Sequence, residues 1–148
     1  AIPTPDAQEF KTCRFEYSLF PHRKGWRESN SFRPAYEFNY GLSGFQLPKV
    51  RKGKRTLPSH LSFVTLNPEN LILVTFKKAE DAGEVILRFF ETKGERAKAE
   101  ISLFREPTSV ERVNLLEEED EGGKITWRGR KISLPVKPFE IVSLKLRF

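Results

Sequence analysis

Two short apolar runs separated by a charged segment constrain the fold of this chain more than any other feature. The runs are residues 70–76 and 85–90, and nearly all of their side chains are aliphatic, β-branched or aromatic. Between them, residues 77–84 are mostly charged and include Asp81 and Gly83, which favour a turn. Each run is too short for a typical buried helix and is bounded by turn residues, so the pattern predicts a β-hairpin.

The first run does not alternate, because residues 71–74 are consecutive apolar side chains. Consecutive apolar residues are typical of strands that are buried on both faces. We therefore expect this hairpin at the centre of an all-β domain, with other strands stacked around it.

Shorter or alternating apolar segments recur along the rest of the chain. The predicted strands are residues 11–20, 60–66, 96–104, 110–116, 125–127, 131–134 and 139–148, with residues 42–47 as a candidate for one more. About nine strands at intervals of about 8–12 residues indicate a sandwich or a barrel. The 13 phenylalanines suit the gap between two sheets. The predicted fold is an antiparallel β-sandwich of about nine strands.

The N-terminal part of the chain contains a linker-like start and one clear alternation. Residues 1–10 hold two prolines and little apolar pattern, which predicts a linker or arm before a domain at 11–148. Residues 11–20 predict a half-buried strand. Its apolar face carries Cys13, Phe15, Tyr17 and Leu19, and its polar face carries Arg14, Glu16 and Ser18.

Residues 29–40 have no strand period, and we expect one short helix or an irregular segment there. Ser29 or Ser31 is a candidate N-cap for a helix that runs through Phe38, and Pro34 limits its start. Gly41 is expected to stop it.

Amino-acid composition and net charge limit the functional classes and cellular locations that are expected for this chain. The net charge of +6 permits polyanion binding, but 31% charged residues also suit the surface of a protein from a heat-adapted organism. One cysteine cannot form an intramolecular disulfide, which favours a reducing, cytoplasmic location. No run is long enough to span a bilayer, so no membrane partner is expected. The absence of methionine hints at a piece of a longer chain.

Residue patterns for catalysis and metal binding are missing. The two histidines, His22 and His60, are far apart and have no ligand-spaced partner, so we expect no metal site and no cofactor in this domain. No nucleophile elbow or phosphate-binding loop occurs. Glu91 and Glu140 lie on predicted strands, where pairing with Arg88, Lys145 or another cation is favoured over a hydrolytic pair. No catalytic residue is predicted.

Two binding patterns remain open. The basic run 49–55 lacks interleaved aromatics, which favours a solvated loop or a surface facing another protein domain over a nucleic-acid site. The acidic run 117–121 is interpreted as a solvated turn. Trp26 and Trp127 are candidate platforms for a sugar ring, although core or rim packing is the favoured interpretation.

Five segments, in order, resemble the C-terminal β region of family 38 glycoside hydrolases, the α-mannosidases. They are FEYSLFPHRKGW at 15–26, LPSHLSF at 57–63, the hairpin at 70–94, VNLLEE at 113–118 and KPFEIVSLKL at 137–146. Two departures are Ser143, where the family usually has Thr, and Asn39-Tyr40-Gly41-Leu42, where it often has Asn-x-Pro-Leu.

The resemblance implies a non-catalytic C-terminal domain of a zinc-dependent retaining α-mannosidase. In that family the zinc ligands and the nucleophilic aspartate belong to a separate catalytic domain, which is the expected partner and acts on the α-mannoside substrate. Residues that could contact that domain or the sugar cleft are Arg88, Glu91, His22, Arg23 and Trp26. Local ion pairing or loop packing is the competing interpretation for all five.

Two alternatives belong to other functional classes. One is a free-standing carbohydrate-binding β-sandwich that uses Trp26 or Trp127. The other is a polyanion binder that uses residues 49–55, although no nucleic-acid partner is favoured.

Overall fold

The structure is a computed structural model that describes residues 11–46, 58–80 and 83–148. The chain divides into two compact units, Ala1–Leu42 and Ser43–Phe148. In the described part, one helix, α1 (Phe32–Asn39), precedes eight strands. The strands are β1 (Val64–Asn67), β2 (Leu71–Lys78), β3 (Val85–Glu91), β4 (Ala97–Leu103), β5 (Ser109–Val113), β6 (Thr126–Arg128), β7 (Lys131–Val136) and β8 (Ile141–Arg147).

The eight strands form two antiparallel sheets of four strands each. Sheet I has the order β1-β4-β7-β6, and sheet II has the order β2-β3-β8-β5. The inward side chains of both sheets share one buried cluster, in which Phe89, Ile101, Leu134 and Leu144 are at most 1% exposed. The prediction of an all-β antiparallel sandwich is therefore confirmed, with eight strands in the described residues.

The hairpin predicted from the two apolar runs is present as β2 and β3, but β2 is not central. It is the edge strand of sheet II, and only β3 lies between two neighbours. The pairing shifts between Leu73 and Thr75, so Val74 falls in a bulge. This bulge explains the consecutive apolar residues, because an extra residue breaks the period of two. The expectation of burial on both faces holds for Leu71 and Ile72 but not for Val74, which is 40% exposed.

Strands with strict alternation match their predictions most closely. In β4 the inward residues Ala99, Ile101 and Leu103 are buried while the outward residues are exposed. In β8, Val142, Leu144 and Leu146 are fully buried, as the pattern predicts. The predicted hairpin around Gly129 is also confirmed, because β6 and β7 pair directly across it.

Among the other predicted strands, one begins late, one ends early and two are absent. Residues 60–66 become strand only from Val64, because Val64 pairs with the last residue of β4. The strand predicted at 110–116 ends at Val113, where Asn114 begins a turn. Residues 42–46 form no strand.

The predicted half-buried strand at residues 11–20 is wrong for the described structure. These residues belong to no helix or strand and are all exposed. Phe15 and Tyr17 are each 86% exposed, and Leu19 is 84% exposed. Alternation specifies which face of a strand can be buried, but a strand also needs a neighbouring backbone for its ladder.

Helix α1 confirms the short helix expected within residues 29–40. Ser31 is its N-cap residue, yet the Ser31 hydroxyl donates to the carbonyl of Trp26 at 3.3 Å and not to the helix. Pro34 lies in the first turn, where a missing N–H costs little. The helix ends at Asn39, and none of its residues is buried.

Residues 1–10, 47–57 and 81–82 lie outside the described residues. The predicted linker at 1–10 and the basic run at 49–55 therefore stay predictions. Among the described residues, no helix is both long enough and apolar enough to cross a bilayer.

Candidate functional site

Glu91, at the end of β3, is the most deeply buried charged group in the described part of the chain, with no exposed surface. Its Oε1 accepts hydrogen bonds from Asn70 Nδ2 at 2.8 Å and from the Lys93 N–H at 2.7 Å. Its Oε2 accepts from the N–H groups of Gly94, Glu95 and Phe139 at 2.7, 3.2 and 3.0 Å. A single carboxylate thus joins the start of β2, the β3–β4 turn and the β7–β8 turn.

The donors around Glu91 decide its ionisation. Burial disfavours the carboxylate and would raise its pKa, but the hydrogen bonds from Phe139, Lys93, Asn70 and Gly94 outweigh burial and lower it. Glu91 is therefore a buried anion that is stabilised by neutral donors instead of a cation.

The turn that Glu91 binds has little room for change. Gly94 has φ +77°, and Phe139 also lies in the left-handed region at φ +57°. A Cβ on Gly94 would lie 2.6 Å from Cζ of Phe139. Glycine is required at this position both by the backbone conformation and by the ring above it.

Arg88 lies on the outward side of sheet II and does not pair with Glu91. Residues three apart in a strand point to opposite faces, so mutual pairing of Arg88 and Glu91 is excluded by geometry. Arg88 Nε donates to Ser143 Oγ at 2.8 Å, and its Nη2 donates to the Leu115 carbonyl at 3.1 Å. Arg88 thereby fixes residues 114–119, called the β5 loop below, over the outward face of sheet II.

A second contact holds the β5 loop against β2. Lys77 Nζ lies 2.8 Å from Glu117 Oε1 and 2.7 Å from Glu80 Oε1. Glu117 Oε2 also accepts from the Glu80 N–H at 2.9 Å. The bond to Glu117, followed by the bond to Glu80, raises the pKa of Lys77, and the Lys77 bond lowers the pKa of Glu117. The expectation of a purely solvated acidic turn at 117–121 is therefore wrong for Glu117.

A third polar cluster surrounds Arg112, whose side chain is only 8% exposed. Arg112 Nη2 lies 2.7 Å from Glu140 Oε1, and Arg112 Nε lies 3.2 Å from Asp120 Oδ2. Gly122 packs directly against this guanidinium. The sequence analysis expected Glu140 to pair with a cation, and this is confirmed. It identified neither Arg112 nor Asp120 as the partners, since the three residues follow no motif.

The three remaining predicted contact residues lie in an exposed loop of the first unit. His22 Nδ1 is hydrogen-bonded to the Lys24 carbonyl. Trp26 is 45% exposed, and the Arg27 guanidinium lies 4.5 Å from its ring centroid. Arg23 is exposed to solvent. The structure thus brings His22, Arg23 and Trp26 into one loop, and it separates Arg88 and Glu91 onto opposite faces of β3.

The other carboxylate and histidine candidates make local contacts. Glu140 pairs with Arg112 and its side chain is 19% exposed, whereas Glu91 is enclosed by donors and has no exposed surface. The described residues contain no group of three metal-ligating side chains. His60 is exposed and lies 3.0 Å from Ser59 Oγ.

The outward face of sheet I carries a polar groove with a volume of about 520 Å³. Asn67, Glu100, Ser133 and Thr126 form one row across its four strands. The Ser133 hydroxyl is buried and has no hydrogen-bond partner within the described ranges. Trp127 pairs with the inward residue Ile132, so the register places it on the core side of the sheet edge.

Fold and site together define a two-layer antiparallel β-sandwich domain whose most deeply buried charges are satisfied within the domain. Residues 70–144 match the glycosyl hydrolases family 38 C-terminal beta sandwich domain. The chain belongs to this family. The match covers both hairpin strands and the first residues of β8, and it includes Arg88 and Glu91.

Three curated proteins similar to this chain are named as alpha-mannosidases. The chain is 27% identical over 135 residues to human alpha-mannosidase 2C1, covering 89% of this chain and 12% of that protein. It is 25% identical over 150 residues to mouse alpha-mannosidase 2C1, covering 99% of this chain and 14% of that protein. Alpha-mannosidase G of Dictyostelium discoideum is 24% identical over 143 residues, covering 95% and 13%. The chain thus spans 12–14% of the length of these relatives.

Proposed function

We propose that this chain is the non-catalytic C-terminal β-sandwich domain of a zinc-dependent retaining α-mannosidase. The family match over residues 70–144 is the observation that carries the proposal. In this proposal the catalytic domain of the same polypeptide hydrolyses the α-mannoside, and the sandwich packs against it and lines the edge of the cleft.

Zinc does not enter the chemistry of this domain. The residues present do not fit a zinc site, because the described part holds no cluster of three ligands and each histidine is exposed. We assign zinc to the catalytic domain of the parent enzyme.

The five candidate contact residues divide into two roles. Glu91 has no exposed surface, so its role is to fix the two turns that it binds. Arg88 fixes the β5 loop. His22, Arg23 and Trp26 are exposed, and we propose that they contact the catalytic domain or a sugar at the cleft edge. We place the enzyme in the cytoplasm, because the sequence has a single cysteine and this chain therefore cannot form an intramolecular disulfide.

The test compares two polypeptides with an aryl α-mannoside as substrate. One is the 148-residue chain, and the other is the complete polypeptide encoded by its gene. We expect hydrolysis by the complete polypeptide that is lost on zinc chelation, and none by the 148-residue chain. Hydrolysis by the 148-residue chain, or an inactive complete polypeptide, would overturn the proposal.

A second candidate function is carbohydrate binding by the sandwich itself. It is favoured by the groove on sheet I, where amide, carboxylate and hydroxyl groups lie in one row. Lys98, Arg128 and Lys131 also line this groove and form no ion pair in the described part of the chain. A row of this kind suits the hydroxyl groups of a sugar, and nearby cations suit an acidic sugar.

Calorimetry with α-mannose oligosaccharides, with and without a phosphate group, tests this candidate. Binding should be lost in Glu100→Ala, which removes the central carboxylate of the row. Glu111→Ala is the matched control, because Glu111 is exposed on the outward face of sheet II. Absence of binding heat from the unmodified chain would dismiss the candidate.

A further inference from the structure

Residues 15–20, called the docking segment below, have exposed apolar side chains and backbone groups without hydrogen-bond partners in the described part of the chain. Phe15, Tyr17 and Leu19 are each at least 84% exposed. In the described part of the chain, the backbone N–H and C=O groups of these six residues take part in no hydrogen bond to the protein. Backbone groups are obligatory hydrogen-bonding groups, and large contiguous apolar patches mark interaction sites.

The segment is already divided into two faces, as in a strand. Arg14 Nη2 and Glu16 Oε1 form an ion pair at 2.7 Å, which agrees with these alternate residues pointing to the same side. The apolar side chains of Phe15, Tyr17 and Leu19 alternate with them. Pro21 follows directly and ends the alternation. A period of two excludes an amphipathic helix as the bound form of the segment.

An isolated strand is not stable in water, so the pattern needs a sheet to complete it. Addition of the segment to a sheet as an extra strand would give its backbone hydrogen-bond partners and would bury its apolar side chains. The open edge of a sheet supplies the backbone partners, and the layer beneath that edge receives the alternate apolar side chains.

We propose that the docking segment is a β-strand that completes a sheet in another part of an α-mannosidase polypeptide. The inference rests on the proposed function and names the surface by which the domain attaches. An alignment that covers 99% of this chain with mouse alpha-mannosidase 2C1 includes the docking segment, and 86% of that relative lies outside the aligned chain. A partner sheet within the same polypeptide therefore has ample sequence to come from.

A second copy of this chain is the less suitable partner. Each copy carries a net charge of +6, so two copies repel each other. Attachment within one polypeptide benefits from a high effective concentration.

Hydrogen–deuterium exchange with mass spectrometry on the 148-residue chain and on the complete polypeptide tests the inference. In the 148-residue chain, amides of residues 15–20 should exchange near the unprotected rate. In the complete polypeptide they should exchange at least about a hundredfold more slowly, as ladder amides do. Amides of β3 provide the internal reference, because they should be protected in both samples.

A proline variant shows whether the protection is a strand ladder. Tyr17→Pro removes a backbone donor and should return residues 15–20 to fast exchange in the complete polypeptide, while β3 stays protected. Glu16→Gln is the matched control, because it keeps the backbone and the apolar face and should leave the protection unchanged.

Fast exchange of residues 15–20 in a complete polypeptide that hydrolyses α-mannosides would overturn this inference and leave the proposed function standing. Protection that appears in the 148-residue chain and rises with its concentration would also overturn it, since that result shows pairing between copies. A complete polypeptide that protects the segment but hydrolyses no α-mannoside would overturn the proposed function alone.

Discussion

At the scale of single residues, Glu91 shows how a sandwich can bury a charge without a counter-ion. Five N–H donors surround its two oxygens, four of them from the backbone. Charge-assisted hydrogen bonds of this kind are stronger than neutral ones, and they also satisfy four backbone amides of the two turns. The sequence indicates that a charged residue in an apolar run needs a partner. It does not indicate which partner, because backbone N–H donors can belong to almost any type of residue.

Replacing Glu91 by Gln should lower the free energy of unfolding by about 2–4 kcal/mol at pH 7. The amide group turns one acceptor into a donor that faces N–H groups of the turns. Urea unfolding followed by tryptophan fluorescence or circular dichroism measures the change. Glu111→Gln is the matched control, since Glu111 is exposed on β5, and it should change stability by less than about 0.5 kcal/mol.

The Glu91 carboxylate should also make the stability of the domain depend on pH in the acidic range. The folded-state pKa of Glu91 is lowered, so the unfolded chain binds its proton first as the pH falls. The contribution of Glu91 is therefore complete above the unfolded pKa of about 4.3, and it is lost as the pH falls toward the folded pKa. The decrease in stability between pH 6 and pH 3 should be smaller in Glu91→Gln. An equal decrease in both proteins would contradict this account.

Gly94→Ala should destabilise the sandwich more than Gly129→Ala, and the difference measures the contact with Phe139. Both glycines have positive φ, so both variants carry a backbone cost of about 1–2 kcal/mol. Only the Gly94 variant also places a Cβ against a ring, whereas nothing lies within 4 Å at Gly129. Thermal unfolding of the two variants gives the comparison. Equal losses would show that the Phe139 ring moves aside without cost.

At the scale of strands and loops, alternation predicts well wherever a neighbouring strand exists. β4 and β8 carry alternating apolar residues, lie inside their sheets and form within the predicted ranges 96–104 and 139–148. Residues 11–20 alternate equally well yet form no strand in the described structure. The period of a sequence predicts which side chains share one face of a strand. It does not predict which strand supplies the hydrogen-bonding partner, because that depends on the topology of the sheet.

The β5 loop should depend on Arg88, because the Arg88 side chain connects Ser143 of β8 to the carbonyl of Leu115. Arg88→Met keeps the aliphatic stem and removes both hydrogen bonds. We expect a loss of about 1–2 kcal/mol and faster amide exchange in residues 114–119. Lys145→Met, on the same outward face, is the control and should leave exchange in the loop unchanged. If amide exchange in the loop is unchanged in Arg88→Met, then the contact between Lys77 and Glu117, and not Arg88, orders the loop.

At the scale of the whole molecule, the two units differ in what they bury. Every buried residue among those described lies between Asn70 and Leu146, within the unit Ser43–Phe148. In the first unit, described residues 11–42 include none. The alternating and apolar patterns predicted the β-sandwich, and the family came from a resemblance of ordered segments. The polar clusters could not be predicted, because Arg112, Asp120 and Glu140 meet only through the topology of sheet II.

This distribution of burial predicts that a polypeptide of residues 43–148 folds without the first unit. It retains both sheets and the complete described core, so its free energy of unfolding should lie within about 1 kcal/mol of that of the 148-residue chain. Urea unfolding of the two polypeptides, monitored by far-ultraviolet circular dichroism, provides the measurement. The exposed apolar side chains of residues 15–20 contribute little to the stability of the 148-residue chain, because they remain in water before and after unfolding. A shorter polypeptide that unfolds without cooperativity would show that residues 1–42 stabilise the sandwich, and it would remove the reason for assigning the docking segment to a partner elsewhere.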